Sequence, residues 1–443
     1  MNREASSILL EEGACVETGA RRVVMRRHML KCGGLTCAMI WAVASAAQAV
    51  GVAGTPRVQL DRAAFEQSLQ AAVGPKVMGY SFILTRRGQL VSEGAGGLAR
   101  NKADGVMIMT PDTPQNIGSL MKFVTGVSTL RMLEGPPPGM VGARMTLEQR
   151  IDQPVAPLYP ADWSNAIKVP EFKLITFRDL LGHKSGIRGC GSKGVIECLQ
   201  GPYDPGQRGV RAYDNMNFAL LGYLIPLYLQ PDLKKSFDDL TAKGAWTLAE
   251  RDKNLQLVLG DRMMIHLRDD VLPRAPGEIS LSCDAANVYK ATGAYGYKAK
   301  GDTGKGIITS RKASGKPCSG SGGNWISARH LASFVATTFF TDRILSERAR
   351  NLMYRDDMPS GERLVWSEAK SEPWLKDNFG LPAVVWSGGD QNYGGGQSFE
   401  GVVVRLPDAY YLVLLVNSGG MGTRALKDAG VAAFKAGMAA NFD

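Results

Sequence analysis

Histidine is scarce in this chain, with four in 443 residues. His28 falls early, which leaves His183, His266 and His330 for any imidazole chemistry. No Cys-x-x-Cys pair occurs, so a structural zinc site lacks its usual thiolate spacing. The expectation is no metal and no cofactor. Internal repeats are absent, which argues against solenoids and propellers. Lysine and arginine outnumber aspartate and glutamate 52 to 42, for a net charge of +10. These cations are scattered rather than interleaved with aromatics, which reads as a solvated surface and not as a nucleic-acid face.

Charge is missing altogether between Lys31 and Arg57. That stretch is short, contains glycine, and holds Ala47-Gln48-Ala49, a small-x-small cleavage site. It reads as the end of an export signal over residues 1–49 rather than as a stable membrane span. Just upstream, Arg26-Arg27-His28-Met29-Leu30-Lys31 matches the twin-arginine pattern with Met in place of Phe. The length ahead of it suggests a start at Met25. The expected destination is the periplasm or the exterior. Cysteine usage agrees: of seven, Cys15, Cys32 and Cys37 lie in the leader. Cys190, Cys198, Cys283 and Cys318 remain, an even number suited to two disulfides in an oxidising compartment. Three pairings are open, of which 190–198 with 283–318 is the simplest.

The rest of the chain is ordinary in apolar and charged content, enough for one large domain or two lobes. Residues 57–75 read as a helix. Val77 to Glu93 reads as a hairpin, with Tyr80-Ser81-Phe82-Ile83-Leu84, a turn at Arg87-Gly88, and Leu90-Val91-Ser92 returning. Helical signals dominate from Thr146 to about Leu240, and Gly, Lys and Ser thicken between Gly293 and Gly323. An amphipathic helix follows over Trp325 to Phe340. Strands at Val402–Leu406 and Tyr410–Val416 flank a Pro407-Asp408 turn, and a helix from Ala425 to Gly437 closes the chain. Strands at both ends with helices between predict an α+β fold. Its antiparallel sheet is built from the two termini. The expected lobes are 50–140 with 325–443 for the sheet, and 141–324 for an inserted helical part.

One stretch organises the chemistry. Ser119-Leu120-Met121-Lys122 puts a serine and a lysine three apart, on one face of a helix. Apolar residues recur at Ile117, Leu120, Met121, Val124, Val127 and Leu130, and Gly135-Pro136-Pro137-Pro138 ends the run. Ser119 then sits in the first turn, where free N–H groups favour a developing anion. A lysine at its ordinary pKa, about 10.4, is charged at neutral pH and cannot take a serine's proton. Burial, a helix N-terminus and a second cation would lower it. A second copy of the motif, Ser367-Glu368-Ala369-Lys370, has no apolar face behind it.

Three further stretches carry a resemblance. Thr176-Phe177-Arg178-Asp179-Leu180-Leu181-Gly182-His183-Lys184-Ser185-Gly186 resembles the T-x-R-D-L-L-x-H-x-S-G loop of penicillin-recognising serine hydrolases. Tyr213-Asp214-Asn215 with Phe218-Ala219-Leu220-Leu221-Gly222 resembles their Tyr-x-Asn element, and Met145-Thr146-Leu147 to Tyr159-Pro160 a segment before it. Over about residues 76 to 420 the chain resembles the β-lactamase-related family of class C β-lactamases, DD-peptidases, D-aminopeptidases and carboxylesterases. The resemblance implies Ser119 as nucleophile, Lys122 and Tyr213 as its proton path, and Asn215 as a hydrogen-bonding group for Lys122 and substrate. His183 belongs to a structural loop.

The family's third element, Lys-Thr-Gly or His-x-Gly on the strand facing the nucleophile, is the point of departure. Counting back from Val402 puts Asn392-Tyr393-Gly394 there, with Gly395 or Gly396 supplying the second oxyanion N–H. Trp386-Ser387-Gly388 is an alternative whose distance from the strand fits less well. Lys184-Ser185-Gly186 is a decoy, because it precedes Tyr213. A neutral Asn392 favours substrates without a carboxylate. The sequence thus predicts an exported serine hydrolase acting through an acyl-enzyme on a small-molecule or peptide ester or amide. The other reading is a catalytically weak cell-wall-binding protein that kept the fold.

Overall fold

The computed structural model describes residues 59–439, apart from 136–144, 192, 245, 310, 312–313, 355–362, 369–372 and 380–383. The expected export signal lies outside the described residues, which belong to one unit, Val58–Asp443. Asp61 accepts the Ala64 N–H at 3.1 Å and so starts helix α1, Arg62–Val73. Phe65, Leu69 and Val73 recur every four residues and are fully buried on one face.

The sheet is seven-stranded and antiparallel. Its strands are β1 (Gly79–Arg86), β2 (Gln89–Arg100), β3 (Met107–Ile108), β6 (Ser367–Glu368), β7 (Val385–Asn392), β8 (Ser398–Leu406) and β9 (Tyr410–Val416), while β4 (Gln115–Asn116) and β5 (Trp325–Ile326) pair separately. Their order is β3-β2-β1-β9-β8-β7-β6. β1 joins the two ends of the chain, pairing Tyr80 with Val416 through Arg86 with Tyr410. β1, β8 and β9 are buried almost throughout, and β9, Tyr410–Val416, reads as a continuous apolar run rather than as alternation. On one face, Phe82, Leu84, Val402, Val404, Leu412 and Leu414 share a core with α1 and the last helix, Thr423–Met438. Packed on strands β1 and β9 is a helix over Ala328–Phe340. The expected antiparallel sheet, assembled from both termini with helices between them, is what the chain forms.

Two strands differ from their sequence reading. β2 runs on to Arg100, through glycines that look like a loop. Those glycines are required by β1, because a Cβ at Gly94 would come within 2.7 Å of the Phe82 ring and one at Gly96 within 2.6 Å of the Tyr80 ring. A strand before β8 is expected only through the resemblance, at Asn392-Tyr393-Gly394, whereas β7 spans Val385–Asn392. Its core, Ser387-Gly388-Gly389-Asp390-Gln391, has little strand propensity of its own. Pairing holds it extended, with Gly389 opposite Gly401 and Asp390 opposite Glu400. The second Ser-x-x-Lys copy is no helix start: Ser367 and Glu368 form the edge strand against Trp386 and Val385. Ala369 and Lys370 lie outside the described residues.

Both disulfides take the nearest-neighbour pairing. Cys190–Cys198 spans a Cα–Cα distance of 5.4 Å and Cys283–Cys318 one of 5.7 Å. Closing the eight-residue 190–198 loop should stabilise the fold by roughly 2–3 kcal/mol through the entropy of the unfolded chain. Thiol titration of the denatured, unreduced protein should find no reactive thiol at these four positions. Replacing Cys190 and Cys198 by serine should lower the melting temperature; an unchanged melting temperature would contradict that contribution.

Candidate active site

Gly118–Leu120 is a single tight turn that runs directly into helix α2, Met121–Glu134. The turn is held from both sides. Asn116 accepts the Gly118 N–H at 2.9 Å, and the Gln115–Asn116 strand pairs with Trp325–Ile326. α2 is buried on nearly every side, which explains its weak amphipathic pattern and places Lys122 only 4% exposed.

Lys122 Nζ lies 2.9 Å from Ser119 Oγ, 2.8 Å from Asn215 Oδ1 and 2.6 Å from the Ser321 carbonyl oxygen. A neutral amine fits this set: two N–H donate to the two carbonyl-type oxygens, and the lone pair is left for the Ser119 hydroxyl proton. Burial drives the amine in that direction, lowering its pKa to about 7, against the opposing charges of Asp390 and Asp214. Burial, the first of the causes the sequence suggests, is the leading one, and the nearby charges are negative.

Tyr213 closes the set. Its hydroxyl is 2.6 Å from Ser119 Oγ and donates to Asn215 Oδ1 at 3.1 Å. The residue is 60% exposed, yet its hydroxyl end turns inward, and desolvation there raises its pKa above the ordinary phenol value. Tyr213 is therefore a protonated donor at neutral pH, which leaves Lys122 as the base. Asp214 and His183 hold the tyrosine in place. Asp214 caps a helix over Asn215–Leu229 through the Met216 N–H at 2.8 Å, and accepts the Cys190 N–H at 2.9 Å. His183 lies between the rings of Tyr213 and Phe218, at 4.8 and 5.0 Å. Its buried imidazole is held neutral, near pKa 3, first by burial and then by the charges of Lys122 and Arg211.

Ser119, Tyr213 and Asn215 open on a cleft of about 960 Å³ that the 190–198 disulfide loop also lines. Its opposite wall is β7. A Cβ at Gly389 would lie 2.8 Å from the Ser119 nitrogen, and one at Gly118 would lie 2.3 Å from the Asp390 carbonyl oxygen. The strand backbone at Gly389–Asp390 thus crosses directly over the nucleophile turn, a contact only glycine permits.

The residues expected there lie elsewhere. Asn392 is the last residue of β7, exposed and paired with Ser398. Tyr393, Gly394 and Gly395 form the turn into β8, closed by Tyr393 N–H to Gln397 O at 2.9 Å. The Tyr393 hydroxyl is taken by Asn116 and Thr309. Counting back from Val402 falls two residues short of Asp390, because the hairpin turn occupies part of the interval counted as strand. Cleft lining on β7 is Asp390 and Gln391, next to the Trp386-Ser387-Gly388 alternative. Two further groups escaped the sequence. The Ser321 carbonyl is a backbone atom with no residue signature, and Gly388-Gly389 would have been the only hint of a close approach.

Residues 65–436 match the family model described as Beta-lactamase. Among solved structures, the chain is similar to a class C beta lactamase from Rhodobacter sphaeroides, at 15% identity and TM-score 0.53, covering 86% of this chain and 99% of that one. It is similar to the D-alanine carboxypeptidase AmpC from Burkholderia cenocepacia, at 17% identity and TM-score 0.53, covering 83% and 98%. An octameric penicillin-binding protein homologue from Pyrococcus abyssi matches at 18% identity and TM-score 0.55, covering 84% and 76%. At these identities the structures speak to fold alone. No curated protein matches.

A reaction at Ser119 that needs the unprotonated amine should accelerate with pH through a midpoint near 7. The Asp390 carboxylate favours the ammonium form, so Asp390→Asn should move that midpoint to lower pH. The rate of covalent modification of Ser119 by a neutral electrophile, followed against pH, reads both. A midpoint unmoved in Asp390→Asn would show that this carboxylate does not act on Lys122.

Proposed function

The chain belongs to the Beta-lactamase family, and on that footing we propose that it is an exported serine hydrolase that forms an acyl-enzyme on Ser119. The observation that carries this reading is the buried, low-pKa Lys122 amine 2.9 Å from Ser119 Oγ. Lys122 takes the hydroxyl proton as Oγ adds to the carbonyl carbon of an ester or amide. The tetrahedral oxyanion forms beside the backbone N–H groups of Ser119 and Asp390, which replace Gly395 in that role. Collapse breaks the bond to the leaving group, which receives a proton from Tyr213; the Lys122 ammonium restores that proton. Water then adds to the acyl carbon with Tyr213 and Lys122 as base, releasing the acid and free Ser119. Asn215 orients Lys122 throughout.

Two disulfides support export to an oxidising compartment, and among the described residues no helix is long and apolar enough to cross a membrane. The similar structures named as β-lactamase and D-alanine carboxypeptidase bring β-lactams and D-alanyl peptides into the range of substrates to try, beside simple esters.

Intact-protein mass spectrometry after exposure to a fluorophosphonate should show one adduct, mapping to Ser119 and absent in Ser119→Ala. Activated-ester turnover should vanish in the same variant, and Lys122→Ala and Tyr213→Phe should each lose about 10²–10⁴-fold in kcat. Adduct at another serine would overturn the assignment. An unlabelled protein that still binds wall peptides would favour the weakly catalytic binding protein.

A further inference from the structure

Arg311 stands in the wall of the same cleft as Ser119. Its backbone is anchored at the second disulfide, with Arg311 N–H donating to the Cys283 carbonyl at 3.1 Å. Its Nε donates to Pro317 O at 2.8 Å. The side chain lies along Gly323, where an added Cβ would come within 2.7 Å of Cδ and 3.1 Å of Nη1. Gly322, the next residue back, lies against the nucleophile turn, its added Cβ falling 3.1 Å from Gly118 O and 3.7 Å from Ser119 N. Arg311 thus packs on Gly323, whose chain neighbour Gly322 packs on the turn that carries the nucleophile.

A largely buried guanidinium is costly without an anion. Among the described residues no carboxylate forms an ion pair with Arg311, and the acidic groups of the cleft are engaged otherwise. Glu197 sits 3.8 Å from Lys193. Asp252 accepts Trp163 Nε1 at 2.9 Å and the Ile196 N–H at 3.3 Å. Asp390 acts on Lys122. Two further cations, Lys253 and Lys316, line the same cleft. The cleft wall therefore carries a guanidinium held through Nε by Pro317 O, with no ion-pair partner among the described residues and with Nη donors of a kind that suits a carboxylate.

We infer that Arg311 is a specificity-determining residue that binds a carboxylate on the acyl donor while Ser119 attacks its carbonyl. This rests on the hydrolase reading above. It also reverses the preference for neutral substrates drawn from Asn392, a residue the fold keeps out of the cleft.

The test compares p-nitrophenyl butyrate with p-nitrophenyl hemiglutarate, whose acyl chain ends in a carboxylate. Arg311→Gln should lower the hemiglutarate-to-butyrate ratio of kcat/KM by about tenfold or more, mostly through KM, the scale of a lost charge-assisted pair. Arg311→Lys should recover part of it. An unchanged ratio overturns the proposal, and butyrate turnover in each variant reports that the cleft is folded. Should neither ester be turned over, glutarate binding to Ser119→Ala protein by calorimetry decides Arg311 separately. Binding lost in Ser119→Ala/Arg311→Gln supports the assignment even as the hydrolase reading falls; binding that persists, or none to begin with, overturns it.

Discussion

The burial of a single amine governs this structure. Lys122 projects from a helix whose sides are nearly all covered, and at 4% exposure its charged form loses most of its hydration. Two neutral oxygens, from Asn215 and Ser321, take its protons without offering a countercharge. The same geometry that makes the ammonium unfavourable aims the lone pair at Ser119. Neither the nucleophile nor the base is useful without α2 being sealed by the helix of Asn215–Leu229 on one side and by the Ser319–Gly323 segment on the other. Thr125 marks that second contact, donating to the Gly320 carbonyl at 2.8 Å.

A second constraint follows from the first. If Ser119 is to be half covered yet reachable, the opposite wall must pass close without side chains between. Gly118 and Gly389 meet that demand, letting the β7 backbone lie on the nucleophile turn. The sheet that carries β7 is tied together from both chain ends through β1 and β9, so the wall and the turn belong to one packed body. Charge in the cleft is then set by what β7 and the loops supply: Asp390 beside the amine, and Arg311 further along the wall. These opposite charges act on different events. Asp390 holds the amine's pKa from falling further, whereas Arg311 lines the cleft wall as the proposed partner of a substrate carboxylate.

Much of this was legible in the residues. Ser119, Lys122, Tyr213 and Asn215 announce themselves by motif, and the structure brings all four within hydrogen-bonding distance. The hairpin turn at Arg87-Gly88 carried its signal in local chemistry, with both residues at positive φ. The closing strands were plain because their apolar runs are continuous. β7 was not, since its extended form comes from pairing with β8 and not from its own glycines and polar residues. That omission displaced the element facing the nucleophile by two residues, from Asp390 to Asn392. Arg311 was hidden in a stretch of Gly, Lys and Ser whose composition says only that it is not a helix. Its position comes from a disulfide and from backbone contacts that no periodicity records.

The central claim is that burial makes Lys122 a base at neutral pH. Direct titration decides it: ¹³C-methylated or selectively ¹⁵N-labelled lysine, followed by NMR, with Lys122→Arg to assign the signal. The account predicts a Lys122 resonance that titrates near pH 7, apart from the solvated lysines near 10.4. A Lys122 signal titrating with the others would mean that the amine stays charged when Ser119 must lose its proton, and would contradict the account.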